Sequence, residues 1–266
     1  MIARRLILAA PALLLARQAA ALELRGEPAQ GALITGRAAP GTRLALDGRR
    51  VRVSPEGDFA FGFARDHAPT ATLAITHPDR RSETLTIEVR KRDWDVQHIT
   101  GLPPAQVTPD EDALRRIMAE RQELAAARSK DSPLTAFASQ PAWPARGRIS
   151  GVFGSQRVLN GQPRQPHYGL DIAAPTGTPV SAALGGRVTL SAEHFFFGQL
   201  LVLDHGHGVN TLYAHLSARL VEDGAEVGQG DPIARIGATG RVTGPHLHFC
   251  LSWYQTWLDP QSLLPA

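Results

Sequence analysis

The stretch GATGRVTGPHLHF, residues 237–249, combines glycine-rich turns with a short alternating strand that carries two histidines. A Gly-Pro pair ends the turn, and the alternation that follows places His246 and His248 on one face of the strand. Leu247 then points to the other face, where an apolar side chain can pack into a core. Two histidines on one strand face are seldom needed for packing, so this pattern predicts metal binding or proton transfer.

Two further motifs place polar side chains at strand-like spacings. His167-Tyr-Gly-Leu-Asp171 follows a proline and contains a glycine, which favours an extended chain with its first and fifth side chains on one face. The imidazole and the carboxylate can then converge on one metal ion, although this spacing alone is more typical of a hydrogen-bonded pair. In Tyr213-Ala-His215-Leu, the alternation predicts that Tyr213 and His215 share a face, while Ala214 and Leu216 point to the core.

The composition restricts the kind of metal site. Cys250 is the only cysteine, which excludes a disulfide framework, an iron–sulfur cluster held by four thiolates and a zinc site built from CxxC pairs. Seven of the ten histidines lie within residues 146–266. One aspartate and two histidines can form a tetrahedral zinc site whose fourth position is left to water. No GxGxxG, GxxxxGK[ST], GxSxG or HExxH motif occurs, which disfavours nucleotide-binding, hydrolase-elbow and helical zinc sites.

Taken together, the three motifs resemble the M23, or LytM/lysostaphin-type, peptidoglycan metalloendopeptidases. The similarity extends from about Gly151 to Pro260 and includes APTGTPV at 174–180 and DHGHG at 204–208. The resemblance implies a compact, antiparallel β-sheet peptidase domain that uses a zinc-activated water to hydrolyse the peptide cross-links of peptidoglycan. The alternative is a catalytically silent LytM-like regulator that binds the wall and activates a cell-wall amidase. Occupation of all five key positions favours the enzyme.

The resemblance also assigns roles to individual residues. His167, Asp171 and His248 would bind Zn²⁺. His246 would act as general base, and His215 would hold the water or stabilise the developing oxyanion. Tyr213 is a candidate for contact with the substrate, which would be the peptide stems of peptidoglycan.

Residues 1–21 have the features of a cleaved export signal. Arg4 and Arg5 precede an apolar band from Leu6 to Ala16, and three alanines follow at 19–21. The band is shorter than the ~20 residues that span a bilayer, so we expect no stable membrane insertion. The paired arginines leave both the general and the twin-arginine export routes open. The expected location is therefore the periplasm or the cell exterior.

The net charge of +3 depends on this signal. Residues 1–21 hold three of the 28 basic residues and no acid, so the rest of the chain carries 25 basic and 25 acidic residues. The sequence thus gives no electrostatic reason to expect nucleic acid as a partner. A partner in cell division, or an amidase, is compatible with the family but has no signal in the sequence.

The rest of the chain is predicted to be mainly β. Short β-prone runs between turn signals over 22–92 predict a small immunoglobulin-like β-sandwich. Residues 93–145 are interpreted as a linker with one helix over 109–129, because Thr108 and Glu111 match a capping box and Pro109 suits the first helical position. The peptidase-like domain then covers 146–266.

The other histidines and the cysteine receive simpler interpretations. His205 and His207 lie in a glycine-rich stretch that favours a hairpin turn. His194, beside three phenylalanines, is expected to pack in a loop at the rim of the groove. Cys250 follows His248 by two residues, so it is expected to be small, buried and on the same face or just beyond the site.

Overall fold

A computed structural model describes residues 22–101 and 108–265. Strands dominate these residues, which confirms the mainly β fold class. The segment interpreted as an export signal lies outside the described residues. In the part of the chain that the structure describes, no helix is both long and apolar enough to cross a membrane.

The N-terminal part forms two antiparallel sheets around one core. Its strands are β1 (Glu23–Arg25), β2 (Leu33–Arg37), β3 (Arg43–Leu46), β4 (Arg49–Val51), β5 (Asp58–Gly62), β6 (Thr70–Thr76) and β7 (Ser82–Glu88). One sheet has the order β1-β2-β5 and the other β4-β3-β6-β7. Every second residue of β6 is buried, and Leu73 and Ile75 pack into the same core as Phe59 and Phe61 of β5. Two packed sheets are what the alternation predicts, and the immunoglobulin-like class of this part stays a prediction.

The C-terminal part is built on a ten-stranded sheet. Its main path runs β17-β14-β15-β16-β19-β12-β9, with β13, β18 and β20 paired outside it, and a separate three-stranded sheet has the order β11-β10-β8. The strands are β8 (Val96–Ile99), β9 (Arg148–Gly151), β10 (Gln156–Leu159), β11 (Gln162–Pro163), β12 (Leu170–Ala173), β13 (Pro179–Ser181), β14 (Gly186–His194), β15 (Gly198–Asp204), β16 (Val209–Arg219), β17 (Glu226–Val227), β18 (Pro232–Ile236), β19 (His246–Trp253) and β20 (Thr256–Leu258). Short 3₁₀ helices cover Ala136–Ala138 and Pro260–Ser262.

The segment interpreted as a linker contributes a strand to the C-terminal part. Strand β8 pairs in parallel with β10, with Val96 opposite Gln156. A four-residue strand with a distant parallel partner leaves no periodic signal, which is why the sequence did not reveal it. The linker therefore lies against the domain that follows it.

The helix in this segment, α1, spans Glu111–Arg128. Asp110 is its N-cap, and its side chain accepts a hydrogen bond of 2.8 Å from the backbone N–H of Ala113. The capping box expected at Thr108 is thus wrong by two residues, because the Asp110 carboxylate, directly before the helix, accepts from a free N–H of the first turn instead.

Helix α1 packs against the face of the large sheet. Leu124 and Ala127 share a cluster with side chains of β15, β16 and β19, including Cys250. The Glu120 carboxylate accepts hydrogen bonds of 2.9 and 3.0 Å from the N–H of Phe195, at the tip of the β14–β15 hairpin. Nε2 of His194 lies 2.8 Å from the Glu123 carboxylate. These contacts fix the helix beside the strands that carry the motif histidines.

The two parts of the molecule also share packing. Trp253 and Leu258 of the C-terminal part belong to the core of the N-terminal sheets. Arg92 donates a 2.7 Å hydrogen bond to Asp259, whose side chain is only 4% exposed. A charge-assisted bond to a buried carboxylate stabilises the arrangement more than an exposed ion pair would.

Candidate metal centre

Three of the motif residues converge on one point. Nε2 of His167 lies 3.1 Å from Oδ1 of Asp171 and 3.0 Å from Nδ1 of His248. Nδ1 of His248 lies 2.7 Å from the same carboxylate oxygen. All three residues are buried, and their ligand atoms lie within 4.8 Å of one another. We call this group the His-Asp-His cluster.

Strand pairing places two members of the cluster. Strands β12 and β19 are antiparallel, and their register sets Asp171 directly opposite His248. Directly opposed residues project to the same face of a sheet, so the carboxylate meets the imidazole. His167 precedes β12, and its backbone exchanges 2.8 Å hydrogen bonds with Gly154 and Ser155.

Two glycines allow the cluster to be this tight. A Cβ atom at Gly169 would lie 2.6 Å from Cε1 of His248, and one at Gly151 would lie 2.5 Å from Oδ2 of Asp171. Both distances are shorter than a carbon atom tolerates. The glycine of the His167-Tyr-Gly-Leu-Asp171 motif is therefore required by the close approach of β19.

The atoms that face away from the cluster have partners of their own. Nδ1 of His167 donates to the carbonyl of Val152 at 3.0 Å, which leaves Nε2 as a lone-pair donor toward the cluster. Nε2 of His248 lies 3.0 Å from Sγ of Cys250, and Oδ2 of Asp171 lies 3.3 Å from Nη2 of Arg157. Outer hydrogen bonds of this kind orient the ligands of a metal ion. Two nitrogens and one carboxylate oxygen fit zinc better than magnesium or calcium, which prefer oxygen alone.

The environment keeps the cluster in the ionisation state that a metal ion requires. Burial lowers the pKa of His248 to about 4, against the opposing attraction of Asp171, so the imidazole is neutral at neutral pH. Burial by itself would raise the pKa of Asp171, but the side chains of His167 and His248 beside its carboxylate hold it well below its usual value. Neutral imidazoles and an ionised carboxylate are the forms that bind metal.

His246 and His215 lie next to the cluster. Nε2 of His246 is 3.7 Å from Oδ1 of Asp171, and the rings of His215 and His246 are 4.8 Å apart. In each ring Nδ1 forms a hydrogen bond with a backbone carbonyl. The distance is 2.9 Å to Gly244 for His246 and 2.9 Å to Thr239 for His215. Since a carbonyl only accepts, Nδ1 carries a proton in both rings, and Nε2 is the basic atom of each ring in its neutral form. The structure thus brings five of the six candidate site residues together.

Tyr213 is the exception, and its predicted contact with the substrate is wrong. The residue is fully buried, and its hydroxyl accepts a 2.9 Å hydrogen bond from the N–H of Ala183. The pairing of β15 with β16 shifts register near this point, and His215 has a φ of +61°. This β-bulge breaks the alternation, so His215 reaches the cluster while Tyr213 points into the core.

The remaining residues lie close to where their patterns indicated. His205 and His207 form the connection between β15 and β16, with φ of +53° at His207. His194 ends β14 and is buried against α1, where it meets Glu123. Cys250 is buried on the cluster's side of β19, and burial raises the pKa of its thiol.

Two cavities open onto the cluster. The first, of about 510 Å³, lies between α1 and the sheet and is bordered by His167, His215 and His248. The second, of about 360 Å³, lies beside β8 and is bordered by Asp171, His215 and His246. We call them the helix-side cavity and the strand-side cavity. Their outer walls come from the segment interpreted as a linker, which no local pattern in the sequence could reveal.

Sequence reasoning also missed the arginines of these cavities. Arg157 and Arg241 border both, and Arg128 borders the helix-side cavity. Arg128 and Arg157 belong to no motif, and Arg241 lies within GATGRVTGPHLHF but was not singled out there. Residues 146–266 contain eight arginines and eight acids, so the local composition looks neutral. The arginines come together only in the folded structure, so the net charge of a sequence segment does not reveal them.

Buried side chains that could hold a metal ion, with two further histidines beside them, are an arrangement typical of metal-dependent hydrolases. Residues 165–260 match the model of Peptidase family M23, and this part of the chain is therefore an M23 peptidase domain.

Comparisons with individual proteins agree with this assignment. The chain is 42% identical over 120 residues to peptidoglycan DD-endopeptidase ShyA of Vibrio cholerae, which covers 45% of this chain and 28% of that protein. It is 34% identical over 166 residues to cell division protein DipM of Caulobacter vibrioides, which covers 60% of this chain and 26% of that protein. The chain thus spans about a quarter of the length of these curated relatives.

One solved structure matches nearly the whole chain. A Pseudomonas aeruginosa protein described as a peptidase M23 superposes with a TM-score of 0.71 and 27% identity, covering 90% of this chain and 95% of that one. The N-terminal sheets and the peptidase domain therefore occur together in that protein as well.

Proposed function

We propose that this chain is an exported zinc metalloendopeptidase that cuts peptide cross-links in peptidoglycan. The observation that carries the proposal is the His-Asp-His cluster with His246 and His215 beside it, within an M23 peptidase domain. The naming of a relative as a peptidoglycan DD-endopeptidase supports the class of substrate.

His167, Asp171 and His248 would hold the zinc ion. When bound, zinc lowers the pKa of a water molecule and polarises a peptide carbonyl. The neutral imidazole of His248 and the ionised carboxylate of Asp171 suit this role, and Val152, Cys250 and Arg157 orient the three ligands from outside.

The two other histidines handle protons and water. Nε2 of His246 is the free base closest to Asp171, so it takes the proton of the attacking water and returns it to the leaving amine. Burial, and after it the neighbouring His248 and His246, hold the pKa of His215 well below its usual value, so this ring stays neutral. With its Nδ1 proton held by Thr239, Nε2 accepts a hydrogen bond from the water and orients it.

Export is the second element of the proposal. The basic pair, the apolar band and the alanines of residues 1–21 support it. If the signal is cleaved after Ala21, mass spectrometry of the protein recovered from the periplasm gives a chain that begins at Leu22. A chain that keeps residues 1–21 and stays in the cytoplasm would contradict export.

Digestion of purified peptidoglycan tests the activity. We expect the zinc-loaded chain to convert cross-linked muropeptides into monomers, and a chelator to stop the conversion until zinc is restored. His246→Ala should abolish turnover while keeping one zinc per chain. His77→Ala, in the connection between β6 and β7, should leave turnover unchanged. A protein that holds zinc and leaves every cross-link intact would refute the proposal.

A regulator that activates a cell-wall amidase is the second candidate. The 166-residue alignment with a cell division protein favours it. Such a regulator should stimulate the digestion of peptidoglycan by an amidase even when the His246→Ala substitution has abolished its own cleavage. Loss of stimulation together with loss of cleavage would assign both effects to the peptidase.

A further inference from the structure

The helix-side cavity carries a concentration of positive charge. Among the described residues that line it, Glu120 is the one acid, and its carboxylate already bonds to Arg116 and to the N–H of Phe195. Five arginines line the same cavity: Arg121, Arg128, Arg157, Arg164 and Arg241. This local excess contrasts with the balanced charge of the chain outside residues 1–21.

Arg128 is the most buried of the five, at 5% exposure. Its guanidinium stacks on Trp257 at 3.4 Å, and Nε donates to the hydroxyl of Ser252 at 3.2 Å. Nη2 has no hydrogen-bond partner, and no carboxylate of the described residues lies within 4.0 Å. Burial lowers the pKa of Arg128 to about 10, so the group is still a cation at neutral pH. A buried cation without a counter-ion is costly, and an anion bound in the cavity would offset that cost.

Arg241 also lines the helix-side cavity. Its guanidinium lies 4.2 Å from the ring centre of Phe196, and its backbone N–H donates to the carbonyl of Phe196 at 2.9 Å. Burial, and after it the charges of Arg157 and Arg164, lower its pKa to about 10. Guanidinium groups held on aromatic rings are preorganised to bind a planar anion through two parallel N–H bonds.

The cavity is continuous with the metal centre. His167, His215 and His248 form part of its wall, while Arg157 and Arg241 also border the strand-side cavity. A peptide whose scissile bond lies at the His-Asp-His cluster can therefore extend into the helix-side cavity. Leu124, Phe197 and Trp257 line the same space, which gives its apolar atoms a place to pack.

We propose that the helix-side cavity is a subsite for a free carboxylate of the peptide substrate, bound by Arg128 and Arg241. This inference rests on the proposed peptidase function and adds a substrate class to it: peptides that carry a carboxylate near the scissile bond. The same site selects against a peptide in which that group is a carboxamide, because an amide leaves the buried guanidinium without a counter-ion.

Kinetics on a matched pair of substrates tests the proposal. The zinc-loaded full chain is given one cross-linked peptide with free carboxylates and the same peptide with those groups amidated. We expect kcat/KM to fall by about 10- to 100-fold on amidation, mainly through KM. Arg128→Gln and Arg241→Gln should each remove most of this preference, because kcat/KM on the carboxylate peptide falls toward its value on the amidated peptide.

The control is Arg115→Gln, which makes the same change of charge on an exposed position of α1 outside the cavity. It should keep the full preference. Because Arg128 is buried, thermal unfolding of each variant is measured, and the more accessible Arg241→Gln carries the conclusion if Arg128→Gln does not fold. The proposal would be overturned if wild type had the same kcat/KM on the two peptides. It would also be overturned if the arginine variants lost kcat/KM equally on the carboxylate and the amidated peptide.

Binding separates this inference from the proposed function. Calorimetry with the His246→Ala chain measures the affinity of both peptides without turnover. If wild type hydrolyses neither peptide but the chain binds the carboxylate form at least about tenfold more tightly, the peptidase proposal fails and the subsite stands. If hydrolysis occurs and the two affinities are equal, the subsite fails and the peptidase stands.

Discussion

The Sγ atom of Cys250 lies 3.0 Å from Nε2 of His248, on the side of the imidazole that faces away from Asp171. A neutral imidazole that gives Nδ1 to a metal ion carries its proton on Nε2, so the sulfur becomes the acceptor of that proton. Burial raises the pKa of the thiol, so Cys250 is a neutral thiol at neutral pH. Its position makes it a support for His248.

Replacing Cys250 should therefore weaken metal binding. We expect Cys250→Ala to lower zinc affinity by about 10- to 100-fold, because Nε2 of His248 loses its acceptor. Competition with a chelator of known affinity measures the change. Cys250→Ser keeps an acceptor and should recover part of the loss. An alanine variant that holds zinc as tightly as wild type would show that the sulfur only fills space.

Gly169→Ala is expected to displace His248, the ligand that Cys250 supports. The added Cβ would lie 2.6 Å from Cε1 of His248, which must then move away from Asp171. We expect zinc content after dialysis to fall well below one per chain, with turnover falling in proportion. Gly185→Ala is the matched control, since the nearest atom to its Cβ is 3.4 Å away. Normal zinc content in Gly169→Ala would mean that the backbone just before β12 adapts.

The sequence predicted each motif of the cluster because the geometry within a motif is local, whereas the resemblance to M23 peptidases implied that His167 and Asp171 meet His248. His246 and His248 differ by two positions on one strand, and His167 and Asp171 by four in an extended segment, so strand periodicity alone brings each pair to one face. His215 does not follow this rule, because the β-bulge depends on how β15 pairs with β16. That bulge is why the alternation placed Tyr213 on the wrong face.

The walls of the site could not be predicted for a different reason. Helix α1 was recognisable from its periodicity, but its position beside the cluster depends on Glu120 and Glu123 meeting the β14–β15 hairpin. Residues more than 70 positions apart form these contacts. No pattern within a window of one element encodes such a contact, so the cavity and its arginines emerged only from the three-dimensional structure.

Tyr213→Phe tests the structural role that now replaces substrate contact. The variant leaves the N–H of Ala183 without its buried acceptor, so we expect the free energy of unfolding to fall by about 1–3 kcal/mol. The KM for peptide should not change, because the side chain is fully buried. Denaturant unfolding and steady-state kinetics measure the two effects. Tyr168→Phe, at a half-buried position, serves as the comparison for stability. A raised KM with unchanged stability would restore the original interpretation.

His205 should make the fold sensitive to acid. The ring is fully buried, with Nδ1 donating to the carbonyl of Gly185 at 2.7 Å and Nε2 lying 2.7 Å from the hydroxyl of Thr211. Burial lowers its pKa from 6.5 to about 4. Below pH 6.5 His205 therefore binds a proton in the unfolded chain but not in the folded chain. As the pH falls from 6.5 to about 4, the free energy of unfolding decreases. The shift corresponds to a loss of about 3 kcal/mol over that window.

Urea unfolding of wild type and His205→Asn, compared from about pH 7.5 to about pH 4, isolates this contribution: the variant should lose less stability than wild type as the pH falls. Parallel losses in the two proteins would show that other groups govern the acid response.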